Sequence, residues 1–149
     1  MAAADLQRYL DAQDGVYATV LQELQAGRKR SHWMWFIFPQ LAGLGQSALS
    51  RHFAIASLDE ARAYLVHPVL GGRLRACAAL ACAAPWSDPA AVFGPPDDLK
   101  FHSSMTLFAL ADGNGNGIFF ECLRKFFRGK PDPATLALLG ETGIEELFR

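Results

Sequence analysis

Lysine, arginine and histidine stand directly against tryptophan in "RKRSHWMWFIFPQLAGLGQS", Arg28 to Ser47. Lys29, Arg30 and His32 supply positive charge and hydrogen-bond donors, while Trp33 and Trp35 supply flat faces. This combination suits an anionic ligand that carries a ring, because cations meet phosphate and indoles stack on a base. The residues that follow add a side-chain amide at Gln40 and a glycine-rich turn running into Ser47. A helix opening there offers free backbone N–H groups to an oxyanion. The structural alternative makes Trp33, Phe36 and Phe38 core anchors, with Lys29 and Arg30 closing the preceding helix at its negative dipole end.

A second segment, "DDLKFHSSMTLFAL", carries the other polar chemistry. On a helix, Lys100, Ser103, Ser104 and Leu107 fall in one sector, at i, i+3, i+4 and i+7. An ammonium and two hydroxyls facing a cleft would hold phosphate or ribose. Serines that bond back to the carbonyl four residues earlier are the structural alternative. Hydrolysis of an N-glycosidic bond needs a carboxylate to stabilise an oxocarbenium ion and activate water. Asp97, which adjoins Lys100, is the first choice for that role.

Other motifs are incomplete. "GQSAL" lacks the final glycine of a nucleophile elbow, and "GLG" lacks the rest of a dinucleotide fingerprint. "RGKP" lacks the upstream glycine and the Ser/Thr of a P-loop. His32, His52, His67 and His102 form no HxxxH pair, and no Cys/His spacing matches a metal site, so neither a metal nor another cofactor is expected. Cys77, Cys82 and Cys122 read as reduced core thiols of a cytoplasmic protein.

The 149 residues fit one domain, 1–149, with 51% hydrophobic and 19% charged residues to build a core and cover it. A formal net charge of -1 argues against general nucleic-acid binding, and no apolar run is long enough to span a membrane. Helix punctuation dominates the chain. Asp14 and Ser57 read as N-caps, and Ser57 with Glu60 makes a capping box. Asp88-Pro89 and Asp132-Pro133 each read as a cap followed by proline at the first helical position. His67-Pro68 marks a helix end. "WMWFIF" reads either as a buried strand or as the start of an apolar helix. The fold class expected is all-α, a compact array of about seven or eight short helices.

Four blocks carry a resemblance to a known family: "AGRKRSHWMWFIFPQLAGLGQS", "SLDEARAYLVHPVLGGRLR", "FGPPDDLKFHSSMTLF" and "FFRGKPDPATLALL". They resemble the signature blocks of the domain-of-unknown-function 1810 family over nearly the whole chain. The resemblance implies a small bacterial, multihelical, soluble protein. Members are sometimes labelled calpastatin, but calpain-inhibiting repeats are disordered and this composition demands a core. A shorter stretch, "SRHFAIASLDEARAYLVHPVLGGRL", is similar in pattern to the NADAR proteins, helical N-glycosidases associated with ADP-ribose and related ribosides. The acid of that motif falls at Arg51, so Asp97, Asp98 or Glu60 would have to replace it.

Two functions follow. One is binding or hydrolysis of a phosphate-containing small molecule of the nucleotide or ADP-ribose type. Lys29, Arg30 and Lys100 would meet phosphate, Trp33 or Trp35 would stack, and Gln40, Ser103 and Ser104 would position ribose. The other is a non-catalytic interaction module that docks a partner protein on the aromatic strip.

Overall fold

The computed structural model describes residues 5–140. Among these residues there are ten helices, seven of them seven residues or longer, and one isolated parallel bridge between Leu41 and Ile55. The first half comprises α1 (Gln7–Asp14), α2 (Tyr17–Gln25), α3 (Met34–Ile37), α4 (Ala48–His52) and α5 (Leu58–Val66). The second comprises α6 (Leu70–Cys82), α7 (Pro89–Phe93), α8 (Asp97–Asp112), α9 (Ile118–Phe127) and α10 (Pro133–Leu139). None of these helices is long and apolar enough to cross a membrane.

Local chemistry sets most of the ends. The Ser57 hydroxyl accepts from Glu60 N–H at 3.1 Å, and Glu60 Oε1 accepts from Ala56 N–H at 3.0 Å, so the capping box closes one residue upstream of the ideal pattern. Asp88 accepts from Ala90 N–H and Asp132 from Thr135 N–H, each ahead of a proline at the first helical position. His67 ends α5 and then accepts from Val69 and Leu70 N–H through Nδ1, capping the next helix as well. Asp14 departs from expectation. It is the last residue of α1, not the cap of α2, and its carboxylate pairs with Arg73 at 3.0 Å. "WMWFIF" resolves as the short helix α3, because its apolar side chains are needed on several sides at once.

Helix α8 is the axis of the molecule, with α5, α7, α9 and α10 packed against it. Phe101 and every residue from 103 to 110 are buried, which is how a helix without a solvent face behaves. Phe38 from the α3 segment enters this core edge-on to Phe93 and Phe101, at 5.8 and 5.0 Å between ring centroids. Phe93 and Phe101 stack at 4.4 Å. Each such burial contributes about 1.5–3 kcal/mol, so these rings fix the α3 segment onto α7 and α8. Gly71 in α6 has a packing reason: a Cβ there would lie 2.0 Å from the Leu65 carbonyl oxygen. The close approach of α5 to α6 offsets the roughly 1 kcal/mol helix cost of glycine.

Candidate functional site

The aromatic strip and helix α8 meet at a line of charge. Lys29 donates its backbone N–H to Val92 O at 2.7 Å, which ties the loop after α2 to α7. Its ammonium lies 2.9 Å from Asp97 Oδ2, and the Lys100 ammonium lies 3.5 Å from Asp97 Oδ1. Asp97 therefore bridges two cations that come from segments far apart in the chain. Each cation also rests on an indole, Lys29 at 5.2 Å from the Trp33 ring and Lys100 at 5.1 Å from the Trp35 ring. The Lys29 side chain is only 7% exposed, so without Asp97 it would be a nearly buried charge with no counter-ion in this pair.

The two tryptophans have different surroundings. Trp33 is buried, and its Nε1–H donates to Glu23 Oε1 at 3.0 Å. Glu23 also accepts from the Arg30 and Ser31 backbone N–H groups, at 2.6 and 2.9 Å, and from the Ser31 hydroxyl. Burial opposes ionisation of Glu23. The Ser31 hydroxyl, the two backbone N–H groups and the Trp33 indole outweigh it and bring the carboxyl down to about 2. Trp35 is partly exposed, yet its Nε1 atom is buried without a hydrogen-bond partner among the described residues.

Trp35 lines a small cavity of about 10 Å³ with Met34, Phe38, Gln40, Ser50, Phe53 and Lys100. That is room for one water-sized group. Two backbone bonds set its wall: Ile55 N–H to Gln40 O and Ala42 N–H to Ile55 O, both 2.8 Å. They hold the loop carrying Gln40 against the segment after α4. Gly45 closes on Ser50, where a Cβ would lie 2.3 Å from the serine Cβ. The cavity is thus lined by residues that carry an ammonium, an amide, a hydroxyl and an indole, beside Met34, Phe38 and Phe53.

The other expected site residues lie apart from it. Arg30 and His32 are exposed, and Arg30 is used here through its backbone. Ser47 caps α4 by accepting from Ser50 N–H at 3.1 Å. Ser103 is buried and donates to Leu99 O and to Asp132 Oδ2, both at 3.1 Å, which makes it a link between α8 and the cap of α10. Ser104 is fully buried, and its Oγ has no partner among the described residues. Among the described residues the exposed large apolar side chains are Leu49, Val66, Val69, Trp86, Leu99 and Leu138, none of them in the "WMWFIF" strip. Trp33 and Phe38 are core, as the structural alternative for the strip had it, but Phe36 is only partly buried, and Lys29 and Arg30 lie beyond α2, which ends at Gln25, so they do not close it.

Three residues that no motif signalled hold this arrangement. Glu23 is one. Gln13 is buried and donates to Phe36 O at 2.7 Å and to the Tyr64 hydroxyl at 3.0 Å, while accepting from Arg73 at 3.2 Å. Arg8 donates to His52 O at 2.9 Å, to Ala54 O and Tyr9 Oη at 3.0 Å, and to Asp5 O. It also approaches Glu60 at 3.4 Å.

A multihelical protein with a small polar cavity against a central buried helix is what fold and site define. The chain belongs to the family described as Protein of unknown function (DUF1810), which it matches over residues 3–139. It is similar to the crystal structure of the conserved hypothetical protein Rv1873 from Mycobacterium tuberculosis, with 52% identity and a TM-score of 0.88. That similarity covers 93% of this chain and 98% of the other. No match was found among curated proteins.

Proposed function

We propose that the Trp35–Gln40–Lys100 cavity anchors a small phosphate-containing ligand of the nucleotide or ADP-ribose type, and that the protein acts by binding it. One observation carries the reading: Lys100, with its ammonium over Trp35, lines the same cavity as an indole whose N–H is buried and unpartnered. A buried donor without an acceptor costs about 1–3 kcal/mol, and an anionic oxygen would relieve that cost beside a cation. The cavity admits one oxygen-sized group, so a terminal phosphoryl oxygen would enter while the rest of the ligand lies outside. Gln40 and Ser50 supply further polar contacts. Asp97, engaged by two ammonium groups, would position the lysines and not transfer a proton.

The test is calorimetric and thermal-shift titration with ADP-ribose, AMP and inorganic phosphate. A ligand at a hundred times its dissociation constant adds about 2.7 kcal/mol of stability. Lys100→Ala is expected to weaken binding at least tenfold. Trp35→Phe, which keeps a ring but removes the N–H, should weaken it roughly fivefold, the equivalent of one hydrogen bond. Absence of any shift in the wild-type protein across the panel overturns the reading.

A further inference from the structure

The three cysteines are not equivalent. Cys77 lies in the interior of α6, where burial pushes its thiol up to about 12. Cys82 ends the same helix and is partly exposed. Cys122, buried in α9, lies over the last turn of α6. It donates its S–H to Ala78 O at 3.4 Å, the carbonyl one helical turn before Cys82, which sets the Cys122 sulfur on the face of α6 that carries Cys82. The Lys125 ammonium is bound to the carbonyl oxygens of Cys82 and Ala84.

These contacts divide the labour between the sulfurs. The C-terminus of a helix is the wrong end for an anion, because the last carbonyls carry partial negative charge. Lys125 sits on those carbonyls and reverses the local field. The neighbouring Cys122 thiol and the Lys125 charge together outweigh burial and bring the Cys82 thiol down to about 7. The neighbouring Cys82 and burial push the Cys122 thiol well up, and its S–H stays on Ala78 O.

We propose that Cys82 and Cys122 form an oxidisable dithiol, in which a hydroperoxide oxidises Cys82 and Cys122 then closes a disulfide onto it. The Cys82 thiolate attacks one peroxide oxygen, the O–O bond breaks and hydroxide leaves, giving a sulfenic acid on Cys82. The Cys122 sulfur then attacks the Cys82 sulfur. The S–S bond forms, the S–O bond breaks, and the departing hydroxide takes the Cys122 proton as water. Both thiols are oxidised together and the peroxide is reduced to water. An added dithiol restores the starting state by exchange. This site shares no residue with the Trp35–Lys100 cavity and stands independently of the ligand proposed there.

The experiment treats the full-length protein with hydrogen peroxide and maps its peptides without reduction. The expected product is a linked Cys82–Cys122 peptide, lighter by two hydrogens, reversed by dithiothreitol, with Cys77 still a free thiol. In Cys122→Ser, the Cys82 sulfenic acid should persist and be trapped by dimedone. In Lys125→Met, the pH profile of Cys82 alkylation by iodoacetamide should move upward. A wild-type protein that gains oxygen at Cys82 while Cys122 stays free overturns the proposal. So does oxidation of Cys77 at the same rate as Cys82. Neither readout depends on a variant that folds.

Discussion

Trp33 and Trp35 lie two residues apart on opposite sides of a physical divide. Trp33 is buried, its indole N–H is satisfied by Glu23, and its ring supports a lysine that is itself nearly buried. Trp35 is partly open, its N–H has no acceptor among the described residues, and its lysine lines a cavity. The same residue type over the same kind of cation thus does two jobs. What separates them is satisfaction of the polar atom: a paired indole is finished structure, and an unpaired one retains unspent affinity.

The comparison breaks most visibly in stability. Trp33→Ala removes a fully buried ring and its bond to Glu23, and should cost about 3–5 kcal/mol in urea unfolding. Trp35→Ala should cost clearly less, about 1–2 kcal/mol, since part of that ring already meets water. Equal losses would erase the distinction.

Glu23 sharpens it through pH. Its folded carboxyl lies at about 2, below its ordinary 4.5, so its stabilisation is fully present above about 4.5 and disappears as pH falls towards 2. In thermal unfolding across that window, Glu23→Gln should be less stable at neutral pH and lose less on acidification than the wild type. The difference should be on the order of 1 kcal/mol after solvent screening. The smallest stability effect is expected for Lys100→Ala. Losing a contact at 3.5 Å and a cation–π pair should cost about 0.5–1 kcal/mol, even though the same change is expected to abolish most ligand affinity.

What could be read from the chain was mainly local. The caps at Ser57, Asp88 and Asp132 depend on side chains reaching two or three residues ahead, and each forms as the spacing implies. Membership of the family was legible for a related reason, because its blocks are contiguous stretches of sequence. Ser103 and Ser104 were harder. A helical wheel places them beside Lys100, but only packing decides whether that sector meets a cleft, and here α8 is enclosed from Ser103 to Leu110. Asp14 shows the same competition: a good capping residue was taken by Arg73, fifty-nine residues away. Glu23, Gln13 and Arg8 gave no signal, since single polar residues become informative only when the fold supplies several donors or acceptors at once. The meeting of Lys29, Asp97 and Lys100 brings together the two segments that looked chemically unusual, although the cavity beside them is smaller than a whole nucleotide requires.

The Arg8 guanidinium binds the carbonyls of His52 and Ala54, and its neighbour Tyr9 donates to the carbonyl between them, Phe53. Phe53 is also a wall of the cavity. That wall is therefore braced from behind by two side chains of the first helix, Arg8 and Tyr9, acting on main-chain carbonyls. Side chains at positions 52 and 54 can change without moving the wall, whereas losing Arg8 or Tyr9 would reshape the cavity from a distance.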